Sequence, residues 1–141
     1  MLILAHGFAS FCALFPQVWT EVLGGPDQGA TNFLTGMGGF LQSIMFGYGG
    51  IRLLPDRLNL DPELPPGSTE LHIIGLSYRG NVMDMFVTET ELMISVTSKP
   101  GESPAILHLE EYKTQAIHDL NLRAPVTVKR QKCAVFKAEE E

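Results

Sequence analysis

Two hydrophobic periods divide the chain. In GATNFLTGMGGFLQSIMFGYGG (29–50), Phe33, Leu34, Met37, Phe40, Leu41, Ile44 and Met45 recur at steps of three and four. That is the spacing of a helix face, and it predicts a helix over 31–46. Thr31 or Asn32 is placed to cap its start. Gly47, Gly49 and Gly50 are placed to end it in left-handed backbone. No charge falls on any face, so the helix is expected to be buried nearly all round. Gly36, Gly38 and Gly39 each cost about 1 kcal/mol relative to Ala inside a helix. Their presence predicts another backbone passing very close.

Beyond Arg52 the period becomes two. ELHIIGLSY (70–78), VMDMFV (82–87), ELMISV (91–96) and ILHLEEY (106–112) read as strands, with shorter candidates at 51–54, 58–60 and 126–128. Leu92, Ile94 and Val96 face one way, and Glu91, Met93 and Ser95 the other. Gly80-Asn81 fits a tight hairpin turn, and SKPGESP (98–104) a Pro-Gly turn. Short strands with turns about ten residues apart predict an antiparallel β-sandwich over 51–141. The AEEE tail is expected to fray.

Charge follows the same division. All ten Lys and Arg residues lie from Arg52 onward, as do all of the sixteen acids except Glu21 and Asp27. Ten of the fourteen glycines precede Arg52. With 141 residues, 45% hydrophobic, 18% charged and a net charge of -6, the chain is a globular one without a basic footprint. No nucleic-acid partner is expected. Cys12 and Cys133 form neither a CxxC pair nor a disulfide framework and read as free thiols in a reducing compartment.

Residues 28–51 are 24 in a row without a charge, long enough to cross a bilayer. Thr31, Asn32, Thr35, Gln42, Ser43 and the glycines argue against that, and no membrane partner is expected. MLILAHGFASFCALFP lacks the basic start of a signal peptide, and His6-Gly7 interrupts its apolar run. A cytoplasmic location is expected on that ground, although a start codon inside a longer protein explains the same stretch equally well.

Most sites are excluded by context. GMGG and GYGG lack the GK[ST] ending of a phosphate loop and the βαβ setting of a dinucleotide site. His6, His72, His108 and His118 have no metal-ligand spacing, and His72 and His108 read as ordinary strand residues. No Ser or Cys stands in a nucleophile elbow. No cofactor and no metal is expected. The carboxylates after Asp56 read as a solvated surface, and Asp27, after Pro26, as turn chemistry. Glu21 remains. It follows an apolar stretch and the only Trp of the chain, in QVWTE. It is either a loop carboxylate at the edge of VLGGPDQG or a proton-handling group beside an aromatic wall, as in sugar sites.

FPQVWTE, followed by GATNFLTGMGGFLQSIMFGYGGIRL, resembles glycoside hydrolase family 65. The resemblance is specific over about residues 15–54 and looser to about residue 97. Residues 1–14 do not share it. It implies an (α/α)6 barrel followed by a small C-terminal β-sandwich. Residues 1–50 would then hold the last loop and helix of the barrel, and residues 51–141 the sandwich. The absent barrel helices would pack on helix 31–46. Family members invert the anomeric centre, and in the hydrolases the Glu of Val-Trp-Thr-Glu is the base that activates water. That role maps onto Glu21, with Trp19 and Thr20 as site-wall residues. The general acid would lie outside the chain, so the chain alone is expected to be inactive. The phosphorylases of the family need no such base, so Glu21 favours hydrolysis.

Two readings follow. The first is a C-terminal fragment or isoform of an inverting glucosidase that removes the α-1,2-linked glucose of glucosylgalactosyl-hydroxylysine in collagen-type peptides. The second is a non-catalytic β-sandwich module that binds carbohydrate or protein.

Overall fold

A computed structural model describes residues 2–6, 21–22, 29–30, 34–102 and 104–138. In chain order the elements are β1 (Leu2–His6), β2 (Glu21–Val22), β3 (Gly29–Ala30) and α1 (Leu34–Gln42), which continues as a π-helical turn, Ser43–Tyr48. Then come β4 (Arg52–Leu53), β5 (Arg57–Leu60), β6 (Glu70–Tyr78), β7 (Asn81–Thr88) and β8 (Glu91–Ser98). The last four are β9 (Leu107–Glu111), β10 (Ile117–Leu120), β11 (Val126–Lys129) and β12 (Cys133–Lys137). Two five-stranded antiparallel sheets, in the orders β1-β6-β7-β8-β11 and β10-β9-β12-β5-β4, share one core, and β2 pairs only with β3.

Period-two patterning explains that core. Leu71 and Ile73 of β6, Met83, Met85 and Val87 of β7, and Leu92, Ile94 and Val96 of β8 are almost wholly buried. They meet Leu58 and Leu60 of β5, Leu107 and Leu109 of β9, and Val135 of β12 in one cluster. Alternation puts every second side chain on the inner face, where burial contributes roughly 1.5–3 kcal/mol for each large aliphatic residue. The expected sandwich is therefore present, with Leu92, Ile94 and Val96 inward and Glu91, Met93 and Ser95 facing away.

The β6–β7 hairpin turns one residue before the expected position. Tyr78 pairs with Asn81, so the loop is Arg79-Gly80. Both residues have positive φ, 47° and 77°, as a type I′ turn requires. Asn81 is 1% exposed. Its Nδ2 donates to the carbonyls of Arg79 (3.1 Å) and Ala105 (3.0 Å), tying the turn to the chain entering β9. A bulge in β6 between Ile73 and Leu76 puts Gly75 at φ 77°. Its freed N–H donates to Asp84 Oδ1 at 2.9 Å.

The helix departs from expectation in two ways. It is not buried all round, because Leu41 and Phe46 are 46% and 41% exposed; among its described side chains Ile44 is fully buried, with Phe40, Met45 and Tyr48 packed against the core. An uncharged surface does not bury itself without a partner, and this chain supplies one only along the Ile44 line. Nor, within this chain, does a backbone press on Gly38 or Gly39. A Cβ at Gly38, Gly39 or Gly47 would meet nothing, whereas at Gly49 it would strike the Met45 carbonyl and Ile73, and at Gly50 the Asp61 backbone. The close approach falls after the helix, where Gly50 is left-handed at φ 60° and Gly49 stays right-handed. Among the described residues, no helix is long and apolar enough to cross a membrane.

Three strands of the sandwich escaped the period-two reading, as did the short β2–β3 pair outside it. β12 is buried on both faces at Cys133, Ala134 and Val135, so it shows no alternation. β10 is only four residues long, and β1 lies in the apolar leader-like stretch. β1 joins the free edge of β6, with Leu2 opposite Ile74 and His6 opposite Glu70.

Candidate functional site

Glu21 begins β2. It stands opposite Ala30, and Val22 stands opposite Gly29. This two-residue ladder ends four residues before α1 begins at Leu34. Trp19, Thr20 and Asp27 lie outside the described residues, as do Cys12, the Thr31 and Asn32 caps and the last three glutamates. The structure thus places the backbone of Glu21 in a short strand pair ahead of the uncharged helix.

An apolar groove of about 680 Å³ runs beside the end of that helix. Met45, Phe46, Leu53, Leu54, Pro55 and Leu76 line it. Leu53 is 70% exposed, a large value for a leucine in a strand. Arg79 borders the groove and donates to the Pro55 carbonyl at 3.0 Å.

Polar groups gather elsewhere. Glu111 departs from the expected solvated surface, since its side chain is only 12% exposed. His118 Nε2 lies 2.7 Å from Glu111 Oε1, and Gln131 Nε2 donates to Oε2. The His118 hydrogen bond, foremost, holds the Glu111 carboxyl below its ordinary range against the opposing effect of burial. Glu111 faces Cys133 across β9 and β12. That thiol is free and buried, and burial first, then Glu111 and Asp61, pushes its pKa up to about 12. A thiol so poised is protonated and inert. His108 Nδ1 sits 2.9 Å from Asp119 Oδ1 across β9 and β10. His72 packs edge-on against Phe86, with ring centroids 4.2 Å apart. Both histidines are strand residues, as expected. Among the described residues, no three His, Cys, Asp or Glu side chains group as a metal site.

None of these clusters is joined by a described side chain to the Glu21 loop. Period and spacing gave no hint of the Glu111–His118–Gln131 group. Its members come from β9, β10 and the turn before β12, and only the sandwich closure brings them together.

Residues 51–112 match the C-terminal domain of glycosyl hydrolase family 65. The protein-glucosylgalactosylhydroxylysine glucosidase of Gallus gallus is 41% identical over 95 residues, covering 67% of this chain and 13% of the relative. The Dictyostelium discoideum protein of the same name is 47% identical over 94 residues, covering 66% of this chain and 13% of its own. The chain thus spans about an eighth of the length of the curated relatives it matches. Among solved structures, a putative kojibiose phosphorylase from the human microbiome shares the fold with a TM-score of 0.56. Its identity is 19%, over 70% of this chain and 12% of that one.

Proposed function

This chain carries the C-terminal domain of glycosyl hydrolase family 65, and from that premise we propose that it is the C-terminal part, or an isoform, of an inverting glucosidase. The substrate on this reading is the α-1,2-linked glucose of glucosylgalactosyl-hydroxylysine in collagen-type peptides. The observation that carries the reading is identity above 40%, over about two thirds of the chain, to two proteins named for that substrate. The aligned stretches of 94 and 95 residues are longer than the matched domain, so the likeness reaches beyond it. The family relationship makes a carbohydrate the substrate class.

Residues 1–50 are then the end of the catalytic barrel, except that β1 (Leu2–His6) pairs with β6 at the edge of the sandwich, and residues 51–141 supply the rest of the sandwich. The exposed Leu41, and the groove at Leu53 and Leu54, are the surface that the rest of the barrel covers. Such apolar area needs a partner. In the complete site a general acid, carried by the barrel, protonates the glycosidic oxygen as its bond to the anomeric carbon breaks. Glu21 takes a proton from the water whose oxygen attacks that carbon from the opposite face. Inversion needs the two carboxyl groups about 6.5–9.5 Å apart, with the water between them. Trp19 and Thr20 form part of the wall. The chain alone holds the base without its acid and is inactive.

The test grafts residues 15–141 onto the barrel of the Gallus gallus relative, replacing the corresponding part. The chimera should release glucose from glucosyl-α-1,2-galactosyl-hydroxylysine. Glu21→Gln should lower the rate by about 10²–10⁴ while leaving the melting temperature unchanged. A folded Glu21→Gln chimera with near-full activity returns Glu21 to a loop carboxylate. One observation favours the second reading, a non-catalytic module binding carbohydrate or protein. The two sheets close a core to which residues 1–50 add only Ile44 among the fully buried side chains described. A folded chimera with no activity, whatever residue stands at 21, would support it.

A further inference from the structure

A second cavity, of about 270 Å³, opens where the end of the π-helical turn meets β4 and β5. Phe46, Gly50, Arg52, Asn59, Asp61 and Lys132 line it. We propose that it is a binding site for a single neutral pyranose ring. The proposal stands whether or not Glu21 acts as a base.

The argument is chemical complementarity. A pyranose offers hydroxyls that each donate and accept, and one apolar face of C–H bonds. The wall meets each demand with a different group. Asp61 supplies acceptors, Arg52 and Lys132 supply donors, and the exposed Phe46 ring supplies an apolar flank. Asn59 Oδ1 accepts from the Tyr112 hydroxyl at 3.1 Å, which leaves its Nδ2 hydrogens for a ligand. An inorganic anion would meet Arg52 and Lys132 but could make no hydrogen bond to the Asp61 carboxylate, whereas a neutral ring with hydroxyls can bond to all three. The volume lies just under the roughly 300–1,000 Å³ of pockets for drug-sized molecules, which suits one sugar ring rather than a chain of them.

The wall is also pre-organised. Arg52 Nη1 donates to the Ile51 carbonyl at 2.8 Å and to the Phe46 carbonyl, so its guanidinium is pinned across the helix end with further N–H groups to spare. The left-handed Gly50 lies against the Asp61 backbone, whose N–H donates to the Gly50 carbonyl at 3.2 Å. Lys132 Nζ is held 5.0 Å from the centre of the Tyr112 ring. Groups held before binding lose little entropy on binding.

The test titrates the ¹⁵N-labelled full chain with methyl α-D-glucopyranoside, and separately with inorganic phosphate, following amide shifts. The sugar should move the amides of Gly50, Asn59, Asp61 and Lys132 together, saturating in the millimolar range. Asp61→Ala should weaken binding about tenfold. Phe46→Ala, at an exposed position where folding is not at stake, should weaken it at least about threefold. Asp119→Asn, on the far strand β10, should leave affinity unchanged. The proposal falls if the sugar shifts no amide of this group, if phosphate shifts them and the sugar does not, or if Phe46→Ala binds as tightly as the parent chain.

Discussion

Asn81→Ala should cost more stability than any other polar truncation in the sandwich. Asn81 is 1% exposed and donates from Nδ2 to the carbonyls of Arg79 and Ala105. Truncation strips the Ala105 carbonyl of that donor, while the Arg79 carbonyl keeps the Ala105 N–H at 3.1 Å, in a place where the loop before β9 packs so closely that a Cβ at Gly101 would strike Gly80. Each buried acceptor stripped of its partner costs about 1–3 kcal/mol. Some of that is returned, because Asn81 Oδ1 is already buried with no partner, and losing it relieves a desolvation cost. The net expectation is about 1–2 kcal/mol, a sizeable share of the roughly 5–15 kcal/mol that holds an ordinary domain together. With a urea m-value of about 2 kcal/mol/M, the unfolding midpoint should fall by about 0.5–1 M. The assay is urea denaturation followed by far-ultraviolet circular dichroism, with Asn121→Ala, at an exposed loop position, as the comparison. Asn121→Ala should stay within about 0.5 kcal/mol of the parent. If the two variants lose equal stability, the Asn81 side chain does not bind the hairpin to the loop and the reasoning fails.

Two further predictions concern protons. Glu111 has its folded pKa depressed, chiefly by the His118 hydrogen bond. Its contribution to stability is present above the ordinary carboxylate value of 4.5 and disappears as pH falls through the lower folded value. Urea midpoints should therefore drop on acidification in the parent chain and drop less in Glu111→Gln; parallel acid limbs would show that the pair contributes nothing. Cys133 has its pKa raised from 9.0 to about 12, so the unfolded chain loses the proton first. Stability should be full below pH 9 and fall as pH rises toward 12. At neutral pH, Cys133 should react with a thiol reagent only at the rate of unfolding, and fast labelling of the native chain would contradict its burial.

Several features were decided along the chain itself. The alternation of Leu92, Ile94 and Val96 with Glu91, Met93 and Ser95 needs only a pleated backbone and water on one side, so strand, face and sandwich were all legible. The uncharged three-and-four spacing around Ile44 was equally local, and so was the isolation of Glu21 behind Trp19. Other features depend on partners distant in the chain. β12 carries no alternation because β5 and β9 flank it and both of its faces are covered, which no window of five residues records. The glycines could be counted but not assigned. Only the packing of Asp61 against Gly50 shows that the close approach falls after the helix and not within it. Arg79 accepts a positive φ because Tyr78 and Asn81 are locked in register on either side of it. Glu111, His118 and Gln131, like the walls of the Asp61 cavity, meet because two sheets close over one core, and contacts made by closure are set by three-dimensional neighbours rather than by spacing along the sequence.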